Sequence, residues 1–365
     1  LSNYLKMLKV FFDHSIFLHQ QNGVISKYIC RLYEGLIKSK YKIKAEIFSP
    51  ITINDNLINI KKNNKSYFFK IKKIPKYCTK IFYLFNNILS LIYLKIYKPD
   101  LIHLTYFNYF LIRFTNIPYI LTVHDLIHEK FFKESVKRNK IKLINNAAKI
   151  ICISNETKKD LINYYKTDNK KIAVIHHGVQ KKKIKNNKKK NFILFVGERR
   201  KYKNFDKLIS AFYSSFFLKK NFKIICFGGG NFSQKEKINF QKLDIEKKVI
   251  FVTGNEKKIN QYYLRSKILV YPSQCEGFGL PIIEALSFKC PVLVNDINVF
   301  REILDNPIFY YKRNSFVSLK KKLEKILKSK NKQKKNFEMG FRRLDHFQLK
   351  NSILNHAKIY KSFLK

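Results

Sequence analysis

The chain has 365 residues, of which 45% are hydrophobic, and this is enough for two α/β domains of ordinary size. It carries 74 Lys and Arg against 25 Asp and Glu, a formal net charge of +49. Because the lysines are spread along the whole chain, most of this charge is interpreted as solvated surface, with attraction to anionic lipid as its consequence. A basic nucleic-acid-binding protein is the alternative, although no patterned basic patch or known nucleic-acid module is present.

The cysteines and the apolar stretches indicate where the chain works. The six cysteines contain no C-x-x-C pair, and no signal-peptide pattern opens the sequence, which favours reduced cysteines in the cytoplasm. The longest apolar stretch, 81–97, is interrupted by Asn86, Asn87, Ser90 and Lys95, so it is too short and too polar to span a bilayer. It is predicted to be a helix with a face toward a membrane surface, which makes the expected location peripheral, on the inner face of the plasma membrane.

Strands and helices alternate through the first half of the chain. Strands are predicted at 8–12, 42–48, 67–71, 100–105, 119–123, 149–153 and 171–175. Helices are predicted at 23–38, 75–97, 134–147 and 154–165. This alternation favours a parallel sheet covered by helices, so residues 1–179 are predicted to form one Rossmann-like domain.

Two loops of this half carry candidate functional residues. Gly23 opens the first long helix, and His124 and Asp125 follow the strand at 119–123, where α/β folds place their ligands. His124 is suited to hydrogen-bond a ligand or to stabilise developing charge, and Asp125 to orient it or to bind a second ligand. The alternative is that Asp125 caps a helix and His124 is an ordinary loop histidine.

The second half repeats the alternation after a polar segment. Residues 180–191 are charged and without periodicity, which indicates an interdomain linker. Strands are predicted at 192–196, 223–227, 249–252, 267–272 and 291–295, and the second domain is assigned to 192–347. The last helix, within 348–365, is expected to pack back on the first domain.

A loop in this second domain places two cations at the start of a helix. Phe205, Leu208, Ile209 and Phe212 have the spacing of a buried helical stripe, so Arg199 and Lys203 fall just before it. The alternative is that they are two more surface cations in a very basic chain. Further on, Gly228–Gly230 follows a strand and permits close backbone approach to a ligand.

The most informative stretch is 276–286, Glu-Gly-Phe-Gly-Leu-Pro-Ile-Ile-Glu-Ala-Leu, directly after a buried strand. Pro281 suits the first turn of a helix, whose free N–H groups suit an anion. Glu276 and Glu284 are separated by seven residues. Carboxylates accept hydrogen bonds from neighbouring hydroxyls, so a phosphate site between two acids suits a nucleotide sugar. The alternative is a strand, turn and helix with a solvated acid at each end.

Residues 276–286 resemble the E-G-F-G-L-P-x-x-E-A signature of the family-4 retaining glycosyltransferases. Residues 197–205 resemble the family's Gly-x-Arg-x-x-Tyr-Lys-Asn-Phe segment, and 122–125 its Thr-Val-His-Asp segment. Residues 23–28 resemble its Gly-Gly-Ile-Ser-Arg-Tyr loop, with Val24 and Lys27 as departures. The departure at Val24 keeps open a non-catalytic relative that only binds a sugar nucleotide.

The resemblance implies the GT-B fold, an α/β architecture of two Rossmann-like domains whose parallel sheets face a central cleft. It implies transfer of a sugar, with retention, from a nucleotide diphosphate-sugar to a lipid-linked or saccharide acceptor in the synthesis of O-antigen, lipopolysaccharide or capsule. The implied catalytic residues are His124, Asp125 and Glu276. The implied donor-binding residues are Gly23, Arg199, Lys203, Gly277, Phe278, Gly279, Leu280 and Glu284.

Within that resemblance each charged residue has its own partner. Arg199 and Lys203 neutralise the donor diphosphate, Glu276 lies by the donor sugar, and Glu284 holds the ribose hydroxyls. The sequence contains no D-x-D pair, which favours a reaction without a metal ion. No cofactor beyond the donor is expected, and no nucleic acid is expected as a partner.

Overall fold

The computed structural model describes residues 7–60, 67–132, 137–182, 184, 188–199 and 201–364. The chain divides into two compact units. The first comprises the residues up to His177 and those from Leu349 onward, and the second is Gly178–Gln348. The predicted linker at 180–191 therefore falls within the second unit, where the Lys190 N–H donates to the Arg265 carbonyl at 2.7 Å.

The first unit contains one six-stranded sheet and a two-stranded ladder. Its strands are β1 Leu8–Phe12, β2 Ile43–Ile47, β3 Ile51–Thr52, β4 Phe69–Lys70, β5 Leu101–Leu104, β6 Tyr119–Val123, β7 Lys149–Cys152 and β8 Ile172–Val174. The large sheet has the order β2-β1-β5-β6-β7-β8, and every described pairing within it is parallel. Every residue of β5 and β6 is buried, as expected for strands covered on both faces.

Helices follow most of these strands. They are α1 Ser15–His19, α2 Val24–Lys38, α3 Asp55–Ile58, α4 Thr79–Tyr97, α5 Tyr109–Arg113, α6 Ile127–Lys130, α7 Arg138–Asn146 and α8 Asn155–Tyr165. Helix α2 packs through Ile29, Leu32, Tyr33 and Leu36, which recur at helical spacing and are all buried. The helix predicted at 134–147 is present as α7, and its predicted first residues lie outside the described residues.

The strand predicted at 67–71 differs from the expectation. Only Phe69–Lys70 is extended, and it pairs with Ile51–Thr52 in a separate ladder rather than in the large sheet. Phe68 and Phe69 are both exposed, so this segment buries neither aromatic ring deeply enough to form a central strand. The apolar pattern indicated a strand correctly but could not show which sheet it joins.

The second unit has its own six-stranded parallel sheet. The strands are β9 Phe192–Val196, β10 Lys223–Phe227, β11 Val249–Val252, β12 Ile268–Tyr271, β13 Val292–Asn295 and β14 Tyr310–Tyr311. Their order is β11-β10-β9-β12-β13-β14, that is 3-2-1-4-5-6 counted within the unit, the order of a Rossmann fold. The strand order reverses between β9 and β12, and such folds bind ligands where the carboxyl ends of those two strands meet.

The helices of this unit are α9 Phe205–Tyr213, α10 Phe216–Asn221, α11 Gln234–Lys242, α12 Glu256–Arg265, α13 Leu280–Ser287, α14 Asn298–Ile303, α15 Phe316–Leu327 and α16 Lys330–Arg343. The predicted stripe of α9 is confirmed, because Phe205, Leu208, Ile209 and Phe212 are all buried. The last helix, α17 Leu349–Lys361, belongs to the first unit, where His356 and Tyr360 are buried. The chain is thus α/β, with a parallel sheet in each of two Rossmann-like units.

Candidate functional site

The charged residues predicted for the second unit gather at its strand reversal. Arg199 and Lys203 lie in the loop after β9, and Glu276 lies in the loop after β12. These two strands are hydrogen-bonded neighbours, with Leu269 beside Leu194. Residues far apart in the chain therefore share one edge of the sheet.

Lys203 and Glu276 meet directly. Lys203 Nζ donates to Glu276 Oε1 at 2.6 Å and to the Tyr271 hydroxyl at 3.1 Å. Both charged side chains are largely shielded, with 12% of Lys203 and 10% of Glu276 exposed. Burial alone would lower the pKa of Lys203, but the Glu276 carboxylate and the Tyr271 and Tyr202 hydroxyls hold it well above its usual value. Lys203 is therefore a fixed positive charge at this edge.

In the turn after Glu276, backbone groups rather than side chains are available to a ligand. Gly279 is the N-cap of α13 and has φ +123°, a backbone conformation that favours glycine. A Cβ there would also lie only 3.0 Å from Ile282 and 3.1 Å from Phe300. Phe278 and Leu280 are buried, and the Phe278 ring packs against Phe347 at 5.7 Å. Their side chains serve the core, so Gly277, Phe278, Gly279 and Leu280 offer a ligand mainly the N–H groups at the start of a helix.

Glu284 lies in the second turn of α13 and is held from a second helix. The hydroxyl of Tyr263, on α12, donates to Glu284 Oε2 at 3.2 Å. Tyr263 is fully buried, and burial together with the Glu284 carboxylate raises its pKa well above the usual value, so it remains a donor. The sequence did not single out Tyr263, because a tyrosine at an apolar position of a helix is typical of a core residue.

Arg199 does not share a partner with Lys203. Its Nε donates to Glu236 Oε1 at 2.6 Å, Nη1 to the Gly228 carbonyl at 3.3 Å, and Nη2 to the carbonyls of Gly230 and Asn231 at 3.0 and 2.9 Å. Only 5% of its side chain is exposed. Direct binding of a diphosphate by Arg199 stays a prediction, and most of its donors are already used within the unit.

In the first unit, His124 follows β6 and is 6% exposed. Neither of its ring nitrogens has a hydrogen-bond partner among the described residues. Burial, with a smaller contribution from His356, lowers the pKa of His124 from 6.5 to about 3, so its imidazole is neutral at physiological pH. Asp125 is half-buried, and its Oδ1 accepts from the Ile127 N–H at 3.2 Å at the start of α6.

His124 belongs to a cluster of buried rings that no motif predicted. The Tyr28 ring lies 5.5 Å from His124 and 4.6 Å from His177, centroid to centroid. The Tyr28 hydroxyl is 2.5 Å from His356 Nε2 on α17. His103 completes the cluster, with Nδ1 at 2.5 Å from the Tyr360 hydroxyl and Nε2 at 2.7 Å from Thr122 Oγ1. Sequence spacing could not reveal it, because its members come from separate segments of the chain.

A second polar cluster lies where the strand order of the first unit reverses, between β1 and β5. Asp13 is fully buried, and its Oδ1 accepts from the N–H and hydroxyl of Thr105 at 2.6 and 2.8 Å. Its Oδ2 accepts from Asn108 Nδ2 at 3.0 Å and from the Ser15 hydroxyl. Asp13 therefore ties together the loops after β1 and β5 at the carboxyl edge of this sheet, and sequence analysis missed it.

Gly23 is the N-cap of α2, with extended backbone at φ −148°. A Cβ there would lie 1.9 Å from Gln20 Oε1, and that same oxygen accepts from the Ser26 N–H at 3.3 Å. The absence of a side chain at Gly23 thus lets Gln20 reach the first turn of α2. Among the described residues, no group of three or more His, Cys, Asp or Glu side chains is placed to hold a metal ion.

Two family models match the chain in succession. The model "Glycosyltransferase Family 4" matches residues 25–183, and "Glycosyl transferases group 1" matches residues 177–341. Together they match residues 25–341, which include most of both units and every predicted site residue except Gly23. The chain belongs to the family-4 glycosyltransferases. The resemblance drawn from residues 276–286 is thereby confirmed.

Two curated relatives are named as sugar transferases. The chain is 32% identical over 201 residues to the O-antigen chain mannosyltransferase RfbU of Salmonella typhimurium, a match that covers 52% of this chain and 55% of that protein. It is 30% identical over 214 residues to an Escherichia coli UDP-Gal:alpha-D-GlcNAc-diphosphoundecaprenol alpha-1,3-galactosyltransferase, covering 51% of this chain and 54% of that one. The chain therefore matches about half the length of these relatives.

Solved structures agree on the fold. HepE of Anabaena, in complex with UDP-glucose, superposes with a TM-score of 0.76 at 13% identity, over 97% of this chain and 100% of that chain. At such low identity the likeness establishes architecture alone. The GT-B assignment, with its two Rossmann-like units, is confirmed.

Proposed function

We propose that the protein transfers a hexose, with retention, from a nucleotide diphosphate-sugar to an acceptor hydroxyl in the synthesis of a cell-surface polysaccharide or lipopolysaccharide. The observation that carries this proposal is the placement of Lys203, Glu276 and Glu284 around the strand reversal of a 3-2-1-4-5-6 sheet. A fixed cation, a helix start and two carboxylates are the groups that a diphosphate and sugar hydroxyls require. The sugar named for the first relative is mannose and for the second galactose.

In this proposal, the diphosphate, the ribose and the sugar of the nucleotide-sugar are each bound by particular residues of the second unit. Lys203 and the N–H groups of Gly277–Leu280 neutralise the diphosphate as it leaves, and fixed electrostatic stabilisation of this kind commonly contributes more to catalysis than any other effect. Glu284, oriented by Tyr263, accepts hydrogen bonds from the ribose. Once a phosphate has replaced Glu276 as the partner of Lys203, Glu276 accepts hydrogen bonds from the hydroxyls of the transferred sugar.

The first unit supplies the remaining predicted residues. His124 is neutral and its ring nitrogens lack partners among the described residues, so it can donate one hydrogen bond to a sugar hydroxyl. Asp125 lies next to it at the end of β6 and is half-buried, which suits a role toward the acceptor. Gly23 stays assigned to donor binding on the resemblance of its loop alone.

The acceptor is proposed to be a lipid-linked saccharide, by analogy with the galactosyltransferase whose name contains a diphosphoundecaprenol-linked sugar. No metal cofactor is proposed, because Lys203 and the start of α13 supply positive charge where a metal ion would. Nucleic acid is not proposed as a partner.

A lipid-linked acceptor places the enzyme at a membrane surface, and α4 has the exposure pattern for that location. Its polar residues Asn86, Asn87 and Ser90 are buried, whereas its exposed side includes Ile81, Leu84, Phe85, Ile88, Ile92 and Ile96. This is the reverse of a helix on a water-facing surface. Among the described residues, no helix is long and apolar enough to cross a bilayer.

The buried polar residues of α4 are hydrogen-bonded within the first unit. These bonds hold the polar face of α4 inward and its apolar face outward. Asn86 exchanges two hydrogen bonds with the backbone of Ile51 at 2.9 Å, and Asn87 Oδ1 accepts from Asn108 at 3.0 Å. Residues 56–99 contain ten lysines and no Asp or Glu. An apolar helix face within an acid-free basic segment suits an anionic lipid surface, and we propose a cytoplasmic, peripheral location on it.

The test is a donor screen followed by a transfer assay. Calorimetry with UDP, GDP and ADP identifies the nucleotide, and the matching sugar nucleotides are then supplied with a synthetic diphosphoundecaprenol-linked saccharide. Transfer with unchanged anomeric configuration, read by NMR of the product, supports the proposal. Binding without turnover with any acceptor indicates a non-catalytic relative, and the absence of any nucleotide binding overturns the proposed function.

A further inference from the structure

The guanidinium of Arg199 is bonded to one segment, residues 228–236. It donates to the carbonyls of Gly228, Gly230 and Asn231 and to the Glu236 carboxylate, which occupies most of its N–H groups. The guanidinium carbon also lies 4.7 Å from the ring centre of Phe232. Arg199 therefore holds a loop that leaves the neighbouring strand β10.

Besides Arg199, this loop is fixed by the Gly228 N–H, which donates to the Val252 carbonyl at 2.9 Å, and by Phe232, whose ring lies 5.0 Å from that of Phe240. Gly228, Gly229 and Gly230 have φ of +80°, +78° and +79°, a backbone region that residues with side chains rarely adopt. Glycines lose more conformational freedom on ordering than other residues, so three in succession need external bonds. A Cβ on Gly229 would lie 2.5 Å from the Gly197 carbonyl, which shows how closely this loop lies against the loop after β9.

The ordered loop presents backbone donors. Gly229 and Gly230 are exposed, and their N–H groups make no backbone hydrogen bond among the described residues. They lie past the carboxyl end of β10, which pairs with β9 at the strand reversal. Backbone N–H groups without side chains around them suit a phosphate or a nucleobase carbonyl.

Glu236 fixes the arginine in turn. Its Oε1 accepts from Arg199, while Oε2 accepts from the N–H and hydroxyl of Ser233 at 2.7 and 2.9 Å, in the capping box of α11. Burial alone would raise the pKa of Glu236, but the hydrogen bonds from Arg199 and Ser233 lower it, so the carboxylate is charged. The chain of contacts runs from the α11 cap through Glu236 and Arg199 to the glycine loop.

We propose that Arg199 is a positioning residue that sets donor affinity through the Gly228–Gly230 loop, with Glu236 as its anchor, rather than by contact with the diphosphate. This inference rests on the proposed donor site. Its distinguishing consequence concerns Glu236, a carboxylate that would repel a phosphate if it were near one. Removing that negative charge should weaken donor binding, because the loop loses its support.

The test is a double-mutant cycle read by calorimetry with the nucleoside diphosphate that binds wild type best. We expect Arg199→Ala and Glu236→Gln to weaken binding by about tenfold and about threefold, and the double variant to match Arg199→Ala. Arg199→Lys should weaken binding nearly as much as Arg199→Ala, since a single ammonium cannot span the four acceptors. Gly229→Ala should also weaken binding, because a Cβ there would lie 2.5 Å from the Gly197 carbonyl and would push the glycine loop away from the loop that carries Arg199.

These results and a few further measurements distinguish loop positioning by Arg199 from direct phosphate binding and from general loss of structure. Unchanged or tighter binding by Glu236→Gln, or near-wild-type binding by Arg199→Lys, would show that Arg199 contacts the phosphates directly and would overturn the inference. An increase in donor KM with unchanged acceptor KM supports loop positioning over general loss of structure, and wild-type Tm values confirm folding. If wild type binds and Lys203→Ala does not, the donor site stands whatever the cycle shows; if wild type binds no nucleotide, the proposed function itself fails.

Discussion

Lys203 and Glu276, which resemblance assigned to different parts of one donor, are hydrogen-bonded to each other at 2.6 Å. The Glu276 carboxylate is therefore already paired with the ammonium group that a bound diphosphate would need. In the proposed donor site, a phosphate would replace Glu276 as the partner of Lys203, and Glu276 would then be able to accept hydrogen bonds from the sugar. The proposal therefore links phosphate binding at Lys203 to sugar binding at Glu276.

The exchange predicts opposite effects of two substitutions. Lys203→Ala should weaken nucleoside diphosphate binding by roughly 1.5–3 kcal/mol, about ten- to a hundredfold, because a charge-assisted contact is lost. Glu276→Gln should bind the free nucleotide at least as tightly as wild type, since the competing carboxylate is gone, and should lose most of its turnover. Calorimetry and initial rates measure the two quantities.

Lys188 is the matched control for Lys203, because it is an exposed lysine outside the site. Lys188→Ala should leave nucleotide affinity unchanged. Equal losses in the Lys188 and Lys203 variants would mean that the basic surface as a whole attracts the nucleotide. Weaker nucleotide binding by Glu276→Gln would argue against the exchange.

Glu284 and Tyr263 predict a dependence on the ribose. Wild type should bind a ribonucleoside diphosphate about tenfold more tightly than its 2′,3′-dideoxy analogue, and Glu284→Gln should remove most of that preference. Tyr263→Phe should reduce it in part, because Glu284 loses the donor that orients it. Calorimetry with both nucleotides on all three proteins decides the matter. Equal weakening of both nucleotides in Glu284→Gln would place this carboxylate away from the ribose.

The fold was largely predictable because its strands are short apolar runs with clear boundaries. Buried strands such as β6 and β12 contain little besides apolar side chains, and the helical stripe of α9 is regular. The two-residue strands β3 and β14 were not predicted, since such short segments have no period to detect. Strand order was accessible only through resemblance.

The site was predictable where motifs cover it and not elsewhere. Arg199, Lys203, Glu276 and Glu284 were predicted from local patterns, and all four follow the carboxyl ends of β9 or β12, while their roles toward a donor stay predictions. Asp13, Tyr263 and Glu236 were missed because their significance lies in partners far away in the sequence. A buried aspartate looks the same as a turn residue until its donors are known.

The missing D-x-D pair predicts that a chelator leaves the reaction intact. Initial rates with EDTA in roughly tenfold excess over total divalent metal should stay near those without it, because Lys203 and the α13 N–H groups supply the positive charge. Loss of activity that Mn²⁺ or Mg²⁺ restores would show that the reaction needs a metal ion. A chelated enzyme that still binds nucleotide would then place that metal in the chemical step.

The inverted α4 predicts membrane binding that depends on lipid charge. The full chain should float with vesicles containing anionic phospholipid, less so as salt rises, because screening weakens the attraction of the lysines. Ile88→Gln with Ile92→Gln should reduce flotation several-fold, since these side chains are 46% and 52% exposed. Nucleotide affinity of this variant should be that of wild type.

Ile238→Gln is the control for that experiment, because Ile238 is 43% exposed on α11 of the other unit. It should float as wild type does. Equal flotation with neutral and anionic vesicles would contradict an electrostatic contribution. If the α4 and α11 variants bind vesicles alike, α4 is not the contact surface.

The buried histidines predict that the first unit loses stability on acidification. Burial lowers the pKa of His124 to about 3 and that of His356 to about 4, and it holds the pKa values of His103 and His177 well below 6.5. Between pH 6.5 and about 4 the unfolded chain binds protons that the folded unit does not. The free energy of unfolding therefore falls as pH drops, by about 1.4 kcal/mol per pH unit for each such histidine.

His356→Gln isolates one of these groups, because glutamine keeps hydrogen-bonding capacity toward Tyr28 and Ser352 but does not titrate. Urea unfolding at several pH values from roughly 7.5 down to 4.5 should give this variant a shallower pH dependence than wild type, by about 1.4 kcal/mol per unit below the unfolded-state pKa. His346→Gln, at an exposed histidine, is the control for the substitution itself. Parallel slopes for wild type and His356→Gln would show that His356 takes up a proton without disturbing the packing of α17.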